Sequence, residues 1–282
     1  MLIMMSNPMC RITHIEEKKE RTIIMNTRAL SLVGLATLGL AMVPVTAFAD
    51  TPTSLNSNAQ ISFQLDNTQK PPLDPTEPNN DDGSLNTISP NDTVTRNTPN
   101  AGTGGPLSLD FVSSFNFGLQ DISSVTKKYT ASAQQYTKQN DDTSGTGTGT
   151  GPNFAQVTDV RSGSAKGWKL TVRMANDFKT KDGSTLDGAV ISINNGRAVY
   201  GNDFKNTINT ISSVNSTIQL SKDDSIVMGA KANEGYGTWL YTMGTKGTAG
   251  SSVTLTVPGS SPKSDEAYKT QLVWTLSDTA VE

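Results

Sequence analysis

The chain is 282 residues long, 34% hydrophobic and 17% charged, with a formal net charge of −3, one cysteine and one histidine. A mildly acidic balance excludes a general polyanion binder, because nucleic acid partners demand an excess of Lys and Arg. The length suits a single large domain that buries a core of its own.

Residues 1–24 carry Glu16, Glu17, Lys18, Lys19 and Glu20 and show no apolar periodicity. They read as an upstream extension of the gene model, whose purine-rich codons resemble a ribosome-binding site, with translation starting at Met25. Residues 25–49 then have the three parts of a secretory signal peptide: a positive start at Arg28, an apolar run over 29–43, and small residues at Ala47 and Ala49. That run is shorter than the ~20 residues a bilayer crossing needs. Cleavage is expected after Ala49.

Cleavage removes Cys10 and His14 together with five basic and three acidic residues. The remaining 233 residues carry 18 basic and 23 acidic side chains. Without cysteine no disulfide forms, although an exported location permits one. Without His or Cys the usual general base, thiol nucleophile and soft metal ligands are missing. A glycosidase needs only two carboxylates, but the acidic residues here sit in polar, turn-like stretches. No catalytic residue, metal or cofactor is expected. The final residues, Ser277–Glu282, hold no LPxTG-like sorting motif and no apolar tail, and no cysteine after the signal is available for a lipid. No membrane anchor is expected once the signal is removed.

Past a short tail at 50–57, period-two alternation dominates 58–282. Ile61, Phe63 and Leu65 read as the first strand. Residues 66–106, rich in Pro, Asn, Asp and Gly, read as a long irregular loop wrapped over the sheet. Leu107, Leu109 and Phe111 alternate next, and 141–152, a Gly-Thr run, reads as a flexible loop tip. Trp168, Leu170 and Val172 follow, then Ile191 and Ile193, then Val253, Leu255 and Val257, then Leu272, Trp274 and Leu276. Asp182-Gly183 and Asn194-Asn195-Gly196 read as tight hairpin turns. The expected fold is all-β, an antiparallel β-sandwich or barrel-like single domain with long irregular Pro/Gly/Asn-rich loops.

The most specific feature is a pair of Trp-x-Leu tripeptides, Trp168-Lys169-Leu170 and Trp274-Thr275-Leu276, each inside an alternating run. With Gly105–Val112, Phe115–Gly118 and the Asp74–Pro78 loop, they make 58–282 resemble the WxL family of cell-wall-attached surface proteins of Gram-positive bacteria. That resemblance implies export to the surface, non-covalent attachment to peptidoglycan, association with other exported proteins encoded nearby, and no catalysis. The class competing with it is an exported carbohydrate-binding or carbohydrate-active protein acting on glycans.

Trp and Leu two apart share a strand face, so the motif residues either fill the core or expose an indole for stacking on wall sugars. Accessory contacts are expected from a cationic group around Lys166, Lys169 and Arg173, with Arg161, Lys179 and Lys181 near them in sequence. Tyr236, Trp239 and Tyr241, among glycines, read equally as a sugar-stacking platform or as a strand edge.

Overall fold

The computed structural model describes residues 54–92, 94–95, 97–139, 147–201 and 210–282. Residues 1–53, and with them the upstream extension, the signal peptide and Ala47 and Ala49, lie outside the described residues. All the sheets fall in one compact unit, Gln60–Glu282. Of the other unit, Met1–Ala59, only 54–59 are described, and they form no strand.

As the alternation predicts, the fold is all-β and every sheet is antiparallel. With strands numbered along the chain, the first sheet runs β2 (Leu107–Val112), β6 (Asn153–Asp159), β13 (Gly237–Met243), β9 (Gly196–Gly201). The second runs β10 (Ser213–Val214), β12 (Ser225–Ala230), β7 (Trp168–Met174), β15 (Leu272–Ser277). The third runs β11 (Ile218–Gln219), β8 (Val190–Ile193), β14 (Val253–Val257), β3 (Lys127–Thr130). A smaller sheet joins β1 (Ile88–Pro90), β4 (Gln134–Lys138) and β5 (Thr148–Gly151).

The three larger sheets share one core, which includes Val157, Leu170, Val172, Ile191, Leu255 and Tyr241. A second, smaller core of Leu73, Ile88, Phe111, Tyr136, Phe154 and Leu240 fills the opposite face of the first sheet. That sheet is therefore buried on both sides, and all seven residues of β6 are buried. Its odd-numbered residues Ala155 and Val157 face the large core and Phe154 faces the small one, as the two-residue period of a strand requires.

Four sequence readings are corrected by the fold. Leu107, Leu109 and Phe111 do not share a face. The register slips between Leu109 and Phe111, so Leu109 lies opposite Val157 while Phe111 lies opposite Gln156. A bulge of this kind sets two residues against one and turns the strand. Phe111 thereby reaches the small core, where its ring lies 4.6 Å from that of Phe154. Asn194-Asn195-Gly196 is not a hairpin turn, because β8 and β9 on either side belong to different sheets. Asn195, at φ 55, is a corner that carries the chain from one layer to the next.

The Gly-Thr run is also not simply a loop tip. Residues 140–146 lie outside the described residues, but Thr148–Gly151 form β5 and pair with β4. A side chain at Gly149 would come within 2.4 Å of the Tyr136 ring. The alternating glycines thus leave one strand face bare for that ring to lie on. Finally, Ile61, Phe63 and Leu65 form no strand and are exposed, with Ile61 at 76% and Phe63 at 89%.

The long Pro-rich segment wraps over the first sheet, but it is not irregular throughout, since its Ile88–Pro90 form β1 and pair with β4; a buried polar network fastens it to the sheet. Gln156 accepts a hydrogen bond from the Leu73 backbone N–H at 2.8 Å and donates to the Pro71 carbonyl at 3.0 Å. Its amide also donates to Asp110, 3.0 Å away, which further accepts from the Ser108 and Thr158 hydroxyls at 2.5 and 2.6 Å. Asp74, also buried, accepts from Thr76 and from the Tyr136 hydroxyl, tying the segment to β4 as well.

Burial raises the affinity of Asp110 for a proton above that of an ordinary carboxylate, and its three hydrogen bonds offset only part of that shift. The folded chain then binds more protons than the unfolded chain between the ordinary carboxylate value and the raised one. This group's contribution to stability therefore falls as pH rises through that window. Asp110→Asn is expected to flatten that stretch of the stability profile measured by urea denaturation. Asp110→Ala, which leaves one N–H of the buried Gln156 amide unpaired, is expected to cost about 2–3 kcal/mol at neutral pH. An Ala variant as stable as the parent would remove the network from the account of the fold.

Candidate functional site: the paired Trp-x-Leu strands

The two tripeptides, about a hundred residues apart in sequence, lie on adjacent strands. β7 and β15 pair so that Trp274 stands opposite Val172, Leu276 opposite Leu170, and Ser277 opposite Lys169. Residues directly opposite share a face. Trp168, Leu170 and Val172 therefore point the same way as Leu272, Trp274 and Leu276, toward the large core.

The two indoles differ in setting. Trp168 lies on an interior strand and is 0% exposed. Its Nε1 donates to the Gly235 carbonyl at 2.8 Å, so the polar end of the ring is satisfied without water. Gly235 has φ 77, and a side chain there would come within 2.6 Å of that same nitrogen, so only glycine fits beside the ring. Leu170 is likewise enclosed. Neither offers surface to a ligand. Trp274 is only partly buried, because β15 is the last strand of its sheet. With Leu276 it forms one wall of an open groove whose other wall is Leu107 and Leu109 of β2. Thr275 is exposed at its rim.

The opposite face of β7 and β15 looks to solvent. Lys169 and Arg173 project there, alongside Val273, Thr275 and Ser277. Arg173 Nε lies 3.7 Å from the carboxylate of Asp224, and both side chains are well exposed. Lys169 has no ion-pair partner among the described residues.

The remaining cations of that stretch do not form one patch. Arg161 donates from Nε and Nη2 to the buried carboxylate of Asp159 at 2.9 and 2.7 Å. It also holds the Gly167 carbonyl at 2.7 Å. The hydrogen bond to Asp159 makes its guanidinium still harder to deprotonate. Arg161 is thus a brace for the start of β7. Lys166 is exposed beside it. Lys179 and Lys181 sit with Asp182 on a separate turn, and Lys269 and Glu266 of the segment before β15 lie beside it.

The residues of the aromatic platform are separated by burial. Trp239 and Tyr241 alternate on β13 and point into the large core. Trp239 packs its ring 4.7 Å from that of Tyr200 and donates to the Tyr236 carbonyl at 3.2 Å. Tyr241 is enclosed and donates to the Asn215 carbonyl at 2.7 Å, and burial pushes its hydroxyl pKa upward. Only Tyr236, 44% exposed, meets solvent. The uninterrupted apolar run Trp239-Leu240-Tyr241, which suits a strand buried on both faces, was the available sign of a strand.

One buried titratable group escaped sequence reasoning. Asp110 is 3% exposed with a raised proton affinity, a combination that often marks catalytic carboxylates. Here its oxygens are engaged by Ser108, Gln156 and Thr158, and it works as a structural clamp. The polar residues alternating with leucine in Leu107-Ser108-Leu109-Asp110 were its signal. Among the described residues no group of three or more His, Cys, Asp or Glu is placed to hold a metal ion.

The structure is thus an all-β module whose two motif strands lie side by side, with one face on the core and the other, bearing Lys169, Arg173 and Thr275, toward solvent. The family model for the WxL domain, surface cell wall-binding, matches residues 50–280, and the chain belongs to that family. Comparison with curated proteins and with solved structures gave no match.

The contrast between the two indoles has a measurable consequence. Trp168→Ala is expected to lower stability by about 3–5 kcal/mol. Trp274→Ala is expected to lower it by only about 1–2 kcal/mol, in proportion to its partial burial. Equal losses in urea titrations would show that β15 is not an edge strand in solution.

Proposed function

We propose that the protein is exported by its signal peptide, cleaved after Ala49, and held at the cell surface by non-covalent contact of this domain with peptidoglycan. It acts there without catalysis, as a structural or adhesive component of a surface complex with other exported proteins. The observation that carries this reading is the family match over 50–280. It is supported by the geometry of the two signature strands, which lie side by side and present one continuous outer face.

The wall-contacting residues on this reading are those of that face. Lys169 and Arg173 supply charge and hydrogen-bond donors for the carboxylates of wall peptides. Thr275 and Ser277 offer hydroxyls to sugar and amide groups. Trp168 and Leu170 contribute by fixing the flat strand on which Lys169 stands. Trp274 and Leu276 hold the neighbouring strand in register. A surface like this suits a repetitive polymer, because each contact is weak and many adjacent copies add to one another.

Purified protein incubated with isolated wall sacculi is expected to sediment with them and to release no soluble sugar. Sugar release would replace this reading with that of a carbohydrate-active enzyme. Lys169→Ser with Arg173→Ser is expected to reduce the sedimented fraction several-fold while leaving the thermal midpoint nearly unchanged, since exposed ion pairs contribute little to stability. Full retention of wall binding by that variant would move the contact to another face.

A further inference from the structure

After β15 the chain turns back across the outer face on which Lys169 stands. Ser277 lies directly opposite Lys169 on one side, and Gly229 of β12 lies directly opposite it on the other. Residues 278–282 lead from the first position toward the second. Ala280 lies over Gly167, where a side chain would come 2.7 Å from the Ala280 Cβ. Val281 lies over Gly229, and its N–H donates to the Ala230 carbonyl at 3.2 Å. The segment therefore rounds Lys169 on the side where β7 begins.

The two glycines beneath it are not equivalent. Gly167 has φ 75, a backbone conformation that favours glycine by itself. Gly229 has no such conformation and lies within β12, where glycine packs nothing and weakens the strand. A Cβ at Gly229 would run into the Val281 side chain and stand 3.1 Å from the Trp168 carbonyl oxygen. Glycine inside a strand marks the close approach of a ligand or another backbone. Here the approaching chain is the segment that follows β15.

That segment is held lightly. Its one hydrogen bond to the body of the domain, among the described residues, is the one from Val281. Ala280 and Val281 are half-buried, while Asp278, Thr279 and Glu282 are exposed. A stretch with so few buried contacts opens at low cost. Its residues are small or acidic, and cations surround the trough they lie in. Lys169 has no ion-pair partner, and Lys166 and Lys231, next in sequence to Gly167 and Ala230, are exposed. Arg161, held first by Asp159, also feels the charge of Asp278.

We propose that the trough floored by Gly167 and Gly229 and flanked by Lys169 is a peptide subsite, which residues 278–282 occupy in competition with a wall peptide. This rests on the wall-contact reading above and names its ligand class, an extended acidic peptide of small residues. Side chains no larger than those of Ala280 and Val281 fit over the glycine floor. The Ala230 carbonyl takes a peptide N–H, and Lys169 takes a carboxylate. A tethered occupant competes at high effective concentration. The subsite thus stays closed to scattered soluble peptide and opens to a wall that presents many copies at once.

The test uses the exported protein in a Cys10→Ser background. Gly229→Cys with Val281→Cys places two Cβ atoms 3.5 Å apart, inside the roughly 3.5–4.5 Å that a disulfide spans. Oxidised, this variant is expected to show a several-fold smaller fraction sedimented with wall sacculi; reduced, it is expected to regain at least the parental level. Ala280→Gln with Val281→Gln, too long to lie over the glycines, is expected to raise the sedimented fraction several-fold at limiting wall, with the thermal midpoint nearly unchanged. Equal sedimentation of the oxidised and reduced forms overturns the proposal, as does failure of the two cysteines to join. A glutamine variant that loses wall binding and thermal stability together overturns it too, because the segment is then a structural strap. If neither the parent nor the glutamine variant sediments, the wall-contact reading itself fails. A parent that sediments beside an unaffected oxidised form leaves that reading standing and removes only the subsite.

Discussion

A strand buried on both faces governs this molecule. β6 has no exposed residue, so each of its side chains must meet a partner above or below the sheet. On one side the partners are apolar and the large core forms. On the other, Phe154 is apolar while Gln156 and Thr158 are polar, and polar groups removed from water require hydrogen bonds. That requirement draws in Asp110 and Ser108 from β2 and the backbone of Pro71 and Leu73 from the Pro-rich segment. A loop too polar to bury itself is thereby held against the sheet by the sheet's own unmet hydrogen bonds. The same strand reaches the signature motif at its far end. Asp159, its last residue, holds Arg161, and Arg161 holds the Gly167 carbonyl immediately before Trp168.

This continuity accounts for a domain that holds together without a covalent cross-link. No disulfide is available to the chain after Ala49, so the restraint that small secreted domains draw from cystines must come from burial. Two cores sharing one sheet meet that need. The polar network between them contributes specificity more than net stability, because desolvating a carboxylate offsets much of what its hydrogen bonds return. What the network fixes is position. Asp110 takes its three hydrogen bonds only if Gln156, Thr158 and Ser108 sit at one register of β2 against β6.

Much of the architecture was legible in the sequence because strand periodicity is a direct record of which face is wet. Trp168-Leu170-Val172 and Leu272-Trp274-Leu276 were readable as same-face rows, and they are. The outward placement of Lys169 and Arg173 followed from the same arithmetic. What periodicity does not record is a departure from itself. The bulge that turns Phe111 to the second core leaves no mark in Leu107-Ser108-Leu109-Asp110-Phe111, which looks like uninterrupted alternation. Nor does alternation say whether a strand finds a neighbour, and Ile61-Ser62-Phe63 has the pattern without the partner. The Gly-Thr run misled for the opposite reason. Glycine there signals the close approach of a ring, and composition alone cannot tell that from a need for flexibility. Tyr236, Trp239 and Tyr241 looked alike because they are close in sequence. The strand they lead into buries the latter two and leaves the first outside.

The two Trp-x-Leu tripeptides show how one local pattern takes two physical roles. The spacing dictates only that indole and isobutyl groups share a strand face. Whether that face is then sealed depends on the strand's place in the sheet, which is settled by distant parts of the chain. β7 has neighbours on both sides, so Trp168 is closed in and its nitrogen must find a carbonyl inside the protein, which Gly235 provides. β15 has one neighbour, so Trp274 keeps part of its ring in water and lines a groove. A motif read as a binding site thus separates into a plug that shapes the domain and a wall that faces outward. The side chains of opposite parity, Lys169, Arg173 and Thr275, look away from the core, and they are the ones the proposed wall contact uses.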